Sequence, residues 1–132
     1  MKLHKLLQPV FTKSSRTPIR FELRYAPKGA VALPVGSLTY RAGLWTFAYD
    51  EAFKAQREAF HPIEGFNDVD KVYESTILFP FFAVRIPDIR RSDIRQAIER
   101  AHMTDPDLPD LLALFGRRTI SSPAFELIPV QV

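Results

Sequence analysis

Apolar Phe21, Leu23 and Tyr25 alternate with polar Arg20, Glu22 and Arg24, the period of a strand with one buried face. Ala26-Pro27-Lys28-Gly29 breaks the alternation, so a strand opens the domain and ends in a turn. Gly36 to Tyr49 predicts a hairpin. With Ala42-Gly43 as a two-residue turn, Tyr40 lies opposite Trp45 and Leu38 opposite Phe47, so Leu38, Tyr40, Trp45, Phe47 and Tyr49 share one face. A three-residue loop would set Thr39 against Trp45 and mix the faces, which favours the shorter turn. Ala42 is ill suited to a positive φ, and the turn type stays open. Gly29, Gly36 and Gly43 recur at a regular spacing, but their flanks differ, which makes them punctuation between strands and not a repeat.

After Tyr49 the pattern shifts towards helices. Asp50 stands where it can cap a short helix through Phe60, with Phe53, Gln56, Ala59 and Phe60 on one side. His61 to Asp70 reads as an acidic loop dotted with apolar side chains. Ser75 or Thr76 predicts the cap of a segment running through Ile86, with Pro80 in its first turn and Pro87 as its stop. Ser92 caps the next helix, where Ile94, Ala97, Ile98 and Ala101 form a stripe and Arg95 stands in register with Glu99. Asp107 starts a third, with Leu108, Leu111, Leu112 and Phe115 as its buried stripe and Gly116 as a left-handed cap. Phe125 and Leu127 alternate with Glu126 in a closing strand, bracketed by Pro123 and Pro129 as suits an edge. The order predicts an α+β fold: a small antiparallel sheet with hairpins in the N-terminal half, three or four short helices on one face, and a closing C-terminal strand.

The chain has 132 residues, enough for a single domain over residues 1–132 with residues 1–18 as a loosely ordered basic arm. Its 46% hydrophobic content excludes general disorder. Trp45, Phe81 and Phe82 read first as core, while the surplus of eleven Phe in one small domain points to a partner surface as well. The absence of cysteine excludes disulfides, thiolate metal sites and a thiol nucleophile. Thr76 to Val84, the longest uncharged apolar run, falls far short of the ~20 residues that span a bilayer. Pro9 interrupts the start before a signal-peptide core forms, and the expected location is the cytoplasm. Charge is uneven: residues 1–49 carry a net +7, with Lys2, Lys5, Lys13, Arg16, Arg20 and Arg24 as a basic arm, and the remainder a net −4. That arm motivates an alternative reading, a basic nucleic-acid-binding or transcription-accessory component.

Candidate chemistry is sparse. Neither phosphate-cradling glycine motif occurs, the protein-kinase motif set is missing, and no GxSxG elbow surrounds Ser121-Ser122. His4, His61 and His102 lack metal-ligand spacing. Glu64 and Asp68 could do acid–base work only if something buried them, and they stand in a loop that reads as solvated. The expectation is therefore no catalytic, cofactor or metal residue. A basic cluster comprises Arg85, Arg90, Arg91, Arg95 and Arg100, followed by Arg117 and Arg118. Arg90 and Arg91 precede a helix N-terminus, where the dipole disfavours cations, which suggests binding. The interleaved Asp88, Asp93 and Glu99 favour a protein contact over a phosphate track.

Three segments together resemble the N-terminal subdomain of HipA-type kinases. They are the hairpin Val35-Gly36-Ser37-Leu38-Thr39-Tyr40 with Trp45-Thr46-Phe47-Ala48-Tyr49, then Phe81-Phe82-Ala83 with Arg85-Ile86-Pro87, and Leu111-Leu112-Ala113-Leu114-Phe115-Gly116-Arg117. The family belongs to toxin-antitoxin modules, in which a serine/threonine kinase toxin is partnered by a helix-turn-helix, HipB-like antitoxin that binds operator DNA. The resemblance implies a free-standing version of the subdomain, as in the three-gene HipBST arrangement, where a short HipS protein is the antitoxin of a shortened HipT kinase. A non-catalytic, HipS-like inhibitor of a HipA- or HipT-type kinase is the expected function. The residues expected to meet the partner are Trp45, Phe60, Phe66, Tyr73, Phe81, Phe82, Arg85, Arg90 and Arg91. The loop from Phe60 to Tyr73 is expected nearest the kinase active site, since an acidic, aromatic loop complements a cationic nucleotide pocket. Val84-Arg85 stands where the long kinases often have Asn and Leu, and no detailed contact is carried over there.

Overall fold

The computed structural model describes residues 16–130. The expected basic arm lies outside them apart from its last three residues, as do His4 and Phe11. Five strands, β1 (Ile19–Tyr25), β2 (Leu33–Arg41), β3 (Leu44–Tyr49), β4 (Tyr73–Ser75) and β5 (Phe125–Val130), form one open antiparallel sheet in the order β4-β3-β2-β1-β5. Among the described residues four helices accompany it, α1 (Glu51–Lys54), α2 (Pro80–Ala83), α3 (Ser92–Arg100) and α4 (Leu108–Phe115). The fold is α+β, with the C-terminal strand closing the sheet beside β1.

The hairpin has the expected register, Tyr40 opposite Trp45 and Leu38 opposite Phe47. Its turn holds Ala42 at φ 52° and Gly43 at φ 81°, the doubly left-handed geometry that matches the twist of paired strands. An alanine in that conformation costs about 1–2 kcal/mol. Ala42→Asn is therefore expected to raise stability by about 1 kcal/mol, because asparagine tolerates this region. Urea denaturation checks it, and a lower midpoint would contradict the turn geometry. Gly36 serves closeness: a Cβ there would lie 2.6 Å from the Ala48 carbonyl oxygen and 2.8 Å from the Phe47 ring.

One face of the sheet carries the core. Phe21, Leu23, Leu38, Trp45, Phe47 and Tyr49 are buried with Phe53, Phe66, Phe82 and Leu112. Phe47 is central, its ring centroid 4.5 Å from Phe66, 5.1 Å from Tyr49 and 5.6 Å from Phe82. Every described phenylalanine is buried or half-buried, so the aromatic surplus expected at a partner surface is used by this core and its margin. Among the described residues the large apolar side chains left exposed are aliphatic, including Val72, Ile77, Val84 and Ile120.

The loop after α1 lies down on the sheet through Ile63, Phe66 and Val69, buried at every third position. Tyr49 pins it: its hydroxyl donates to the Phe66 carbonyl at 2.7 Å and accepts from the Ile63 N–H at 2.9 Å. Burial pushes the Tyr49 phenol up, which keeps it a neutral donor.

Several local expectations change. The helix after Asp50 has four residues, and turns continue to Phe60, because Gln56 and Ala59 are exposed and give no stripe to bury. Asp50 caps through its main-chain carbonyl, which accepts from Phe53 and Lys54, and burial together with nearby Glu22 pushes its carboxyl up. β4, which the sequence did not predict, follows the expected loop, and the Ser75 hydroxyl accepts from the Ile77 N–H in a turn instead of capping a helix. α2 begins at Pro80, whose missing N–H costs nothing at a first helical position. Ser92 is the first residue of α3 and Arg91 its N-cap. The α3 stripe is half-buried, and Arg95 and Glu99 form no ion pair. In α4, Leu111 and Leu112 are buried, whereas Leu108 is exposed. Gly116 has φ −86° and is no left-handed cap; a Cβ there would meet the Leu112 carbonyl oxygen at 2.5 Å.

Asp107 caps α4 as expected, in a reciprocal box with Asp110, and Arg16 clamps both carboxylates at 2.6 and 3.1 Å. Burial alone would raise the Asp107 carboxyl, but hydrogen bonds with Asp110 and Arg16 outweigh it and hold the group below its ordinary value. A carboxyl lowered on folding stabilises above its unfolded value and loses that contribution as pH falls through the folded one. Asp107→Asn should therefore flatten the acid limb of the stability curve below about pH 4. Thermal melts across pH check this, and an unchanged acid limb would contradict it.

β5 is an edge, as its prolines predict. Its outward N–H groups at Phe125 and Leu127 donate to the carbonyls of Ser122 and Arg117, and Pro129 has none to offer. This edge is closed to further strand pairing. No helix among the described residues is long and apolar enough to cross a membrane.

Candidate functional site

The residues expected to meet a partner divide by depth. Trp45, Phe66 and Phe82 belong to the core, and Arg85 is buried as well. Phe60, Tyr73 and Phe81 are half-buried, and Arg90 and Arg91 are exposed. A side chain sealed in the core cannot touch another protein without unfolding, which leaves the half-buried and exposed members available.

Arg85 is a strut. Its guanidinium donates to the carbonyls of Gly116 at 2.9 Å, Arg117 at 3.2 Å and Phe125 at 3.3 Å, and to the Ser122 hydroxyl at 3.4 Å. The first two carbonyls follow the C-terminus of α4, where the helix dipole favours a cation. The group also lies over the Phe81 ring at 5.5 Å. Burial pushes the guanidinium down to about 10, so it stays charged at neutral pH. Its Nε has no partner among the described residues. The sequence signal available was an arginine next to apolar side chains, which does not distinguish a strut from a surface contact.

Arg85 and Tyr49 together shape a cleft. Arg85 ties the segment after α4 to α2, and Tyr49 fixes the loop at Ile63 and Phe66 on the other side. Between them opens a cavity of about 680 Å³. Phe66, Phe79, Phe81 and Phe125 form aromatic walls, joined by Ile63 and Val84, and His61, Glu64, Ser121 and Ser122 supply its polar groups. Sequence reasoning singled out Phe66 and Phe81 but not the cleft, whose lining comes from three separate segments, the first and last of them more than fifty residues apart in the chain.

Four arginines of the basic cluster are neutralised in place by carboxylates. Arg90 grips Asp88 through Nε and a terminal nitrogen at 3.0 and 2.9 Å, and Arg91 grips Asp93 likewise at 3.2 and 2.7 Å. These hydrogen bonds hold the carboxyls of Asp88 and Asp93 below their ordinary values. Arg117 and Arg118 converge on Glu126 at 2.7 and 3.2 Å. Glu126 is buried despite its outward register, because those two arginines cover it. Arg95 and Arg100 remain exposed on α3. No group of three or more His, Asp or Glu among the described residues is placed to hold a metal.

A family model for the HipA N-terminal domain matches residues 30–121. No curated protein and no solved structure matches the chain. The matched span takes in β2, β3, β4, the four described helices and most of the cleft. The chain therefore belongs to the HipA N-terminal domain family.

Proposed function

We propose that the protein is a non-catalytic antitoxin of HipS type, which binds a HipA- or HipT-type serine/threonine kinase in the cytoplasm and holds it inactive. The observation that carries this reading is family membership across most of the fold. The surface supports it: an apolar cleft and aliphatic side chains are left over once the core is complete, as at a protein interface. A HipB-like helix-turn-helix protein, and through it operator DNA, completes the assembly. Pairing of Arg90, Arg91, Arg117 and Arg118 with carboxylates supports a protein partner over direct contact with phosphates.

The loop from Phe60 to Tyr73 faces the kinase in this reading. With Phe66 committed to the core, its contribution comes from exposed Glu64, Asp68 and Val72. Val72, 55% exposed, is its apolar contact. Val72→Asp is expected to weaken kinase binding about tenfold with folding unchanged, measured by titration calorimetry beside a thermal melt. Unaltered affinity would remove the loop from the interface. Contact with about six phosphates would instead weaken binding on the order of a thousandfold between about 50 and 200 mM salt. A kinase complex that persists over that range supports the protein reading, and a nucleic-acid complex with that salt loss would replace it.

A further inference from the structure

The cleft between the 61–66 loop, α2 and the 121–125 segment has chemistry more specific than an apolar patch. Phe79, Phe81 and Phe125 are half-buried in its walls, and Val84, 62% exposed, carries the apolar surface out past the mouth. Glu64 stands exposed among the lining groups and has no ion-pair partner among the described residues. The cavity of about 680 Å³ is much larger than one side chain needs.

We propose that this cleft receives a short segment of the kinase that presents a large apolar side chain beside a lysine or arginine. The inference rests on the antitoxin reading above and names the chemistry of the contact. The aromatic walls take the apolar group, and Glu64 selects a cation next to it. The acid and the apolar rim disfavour nucleic acid. A small-molecule site would hold precisely placed polar groups at depth, whereas the acid here is exposed and the apolar surface runs on beyond the cavity. The walls are set before binding, since Arg85 and Tyr49 hold both sides through internal hydrogen bonds, and less ordering entropy is lost on docking.

Two exposed positions test the idea without touching the core. Val84→Glu and Glu64→Lys, each in the full chain, are titrated against the cognate kinase, with thermal melts confirming an unchanged fold. Val84→Glu is expected to weaken binding at least about thirtyfold and Glu64→Lys about fivefold. A photocrosslinker at Ser121 should label a kinase segment with a lysine or arginine within three residues of the labelled apolar side chain. If the natural chain binds and both variants stay within twofold of it, the cleft assignment is overturned and the antitoxin reading stands. A labelled segment without a neighbouring cation overturns it equally. If the natural chain does not bind the kinase, the antitoxin reading fails and this occupant fails with it.

Discussion

Phe82→Ala will cost about 3–5 kcal/mol of folding stability, the range for deleting a fully buried phenylalanine. Phe82 is 0% exposed, and its ring contacts Phe47, Phe66, Phe79 and Phe81 at centroid distances of 5.6, 6.0, 6.5 and 5.1 Å. Removing it opens a void at the junction of α2, the long loop and β3, where four of the neighbouring side chains are rigid rings that close in poorly. Because small domains are stable by only about 5–15 kcal/mol, the variant will be partly unfolded at physiological temperature. Its failure to bind a kinase would therefore report on the fold and not on an interface. Urea denaturation of the isolated chain measures the loss, and a loss below about 1 kcal/mol would show that Phe82 is not the keystone its burial indicates.

Arg85→Met will cost about 3 kcal/mol, and its signature will be local. Methionine keeps most of the apolar stem but removes every donor. The carbonyls of Gly116, Arg117 and Phe125 then lose the bonds that Arg85 supplies. Arg85→Lys will not restore stability, because a single ammonium cannot reach acceptors spread around a planar fork. Amide exchange in residues 116–125 is expected to rise with both variants, whereas unchanged exchange would contradict the strut. Linkage fixes the pH behaviour. Burial lowers the folded-state value to about 10, below the unfolded one, so the unfolded chain holds the extra proton between the two and stability rises with pH only across that alkaline window. The stability lost in Arg85→Met should thus be constant from about pH 5 to 9.

The sequence was most informative where one period ran unbroken. β1 and the β2–β3 hairpin followed from alternation, and the facing pairs followed from turn length. α4 followed from an acidic cap and a leucine stripe. β5 followed from alternation between prolines that suit an edge. β4 was illegible because three residues show no period, and its pairing depends on the loop that delivers it. α1 starts after Asp50 as its sequence indicates but stops short of Phe60 because Gln56 and Ala59 offer no face to bury, and the start of α2 was misplaced because Ser75 serves a turn, a use that a capping residue type does not reveal.

The candidate site was harder to read for a related reason. Hydrophobicity says that Phe66, Phe81 and Phe82 seek cover, not which of them the chain itself covers. Ile63, Phe66 and Val69 carried the missing signal, since apolar residues spaced by three in a loop mark a segment laid on a core. Arg90 and Arg91 looked available because sequence shows charge but not pairing, and each is held by an aspartate two residues away. The family resemblance was legible in three short segments, all of which supply buried core residues and the second of which also supplies the strut Arg85. Such segments identify the fold while saying little about its surface.

The central claim is that this protein acts by covering a kinase. The most direct test mixes the purified chain with its cognate HipA- or HipT-type kinase at equal micromolar concentrations and follows phosphate transfer from ATP beside gel filtration. Co-elution as one complex, with phosphorylation suppressed in proportion to the chain added, is the predicted result. Separate elution with undiminished phosphorylation would contradict the account.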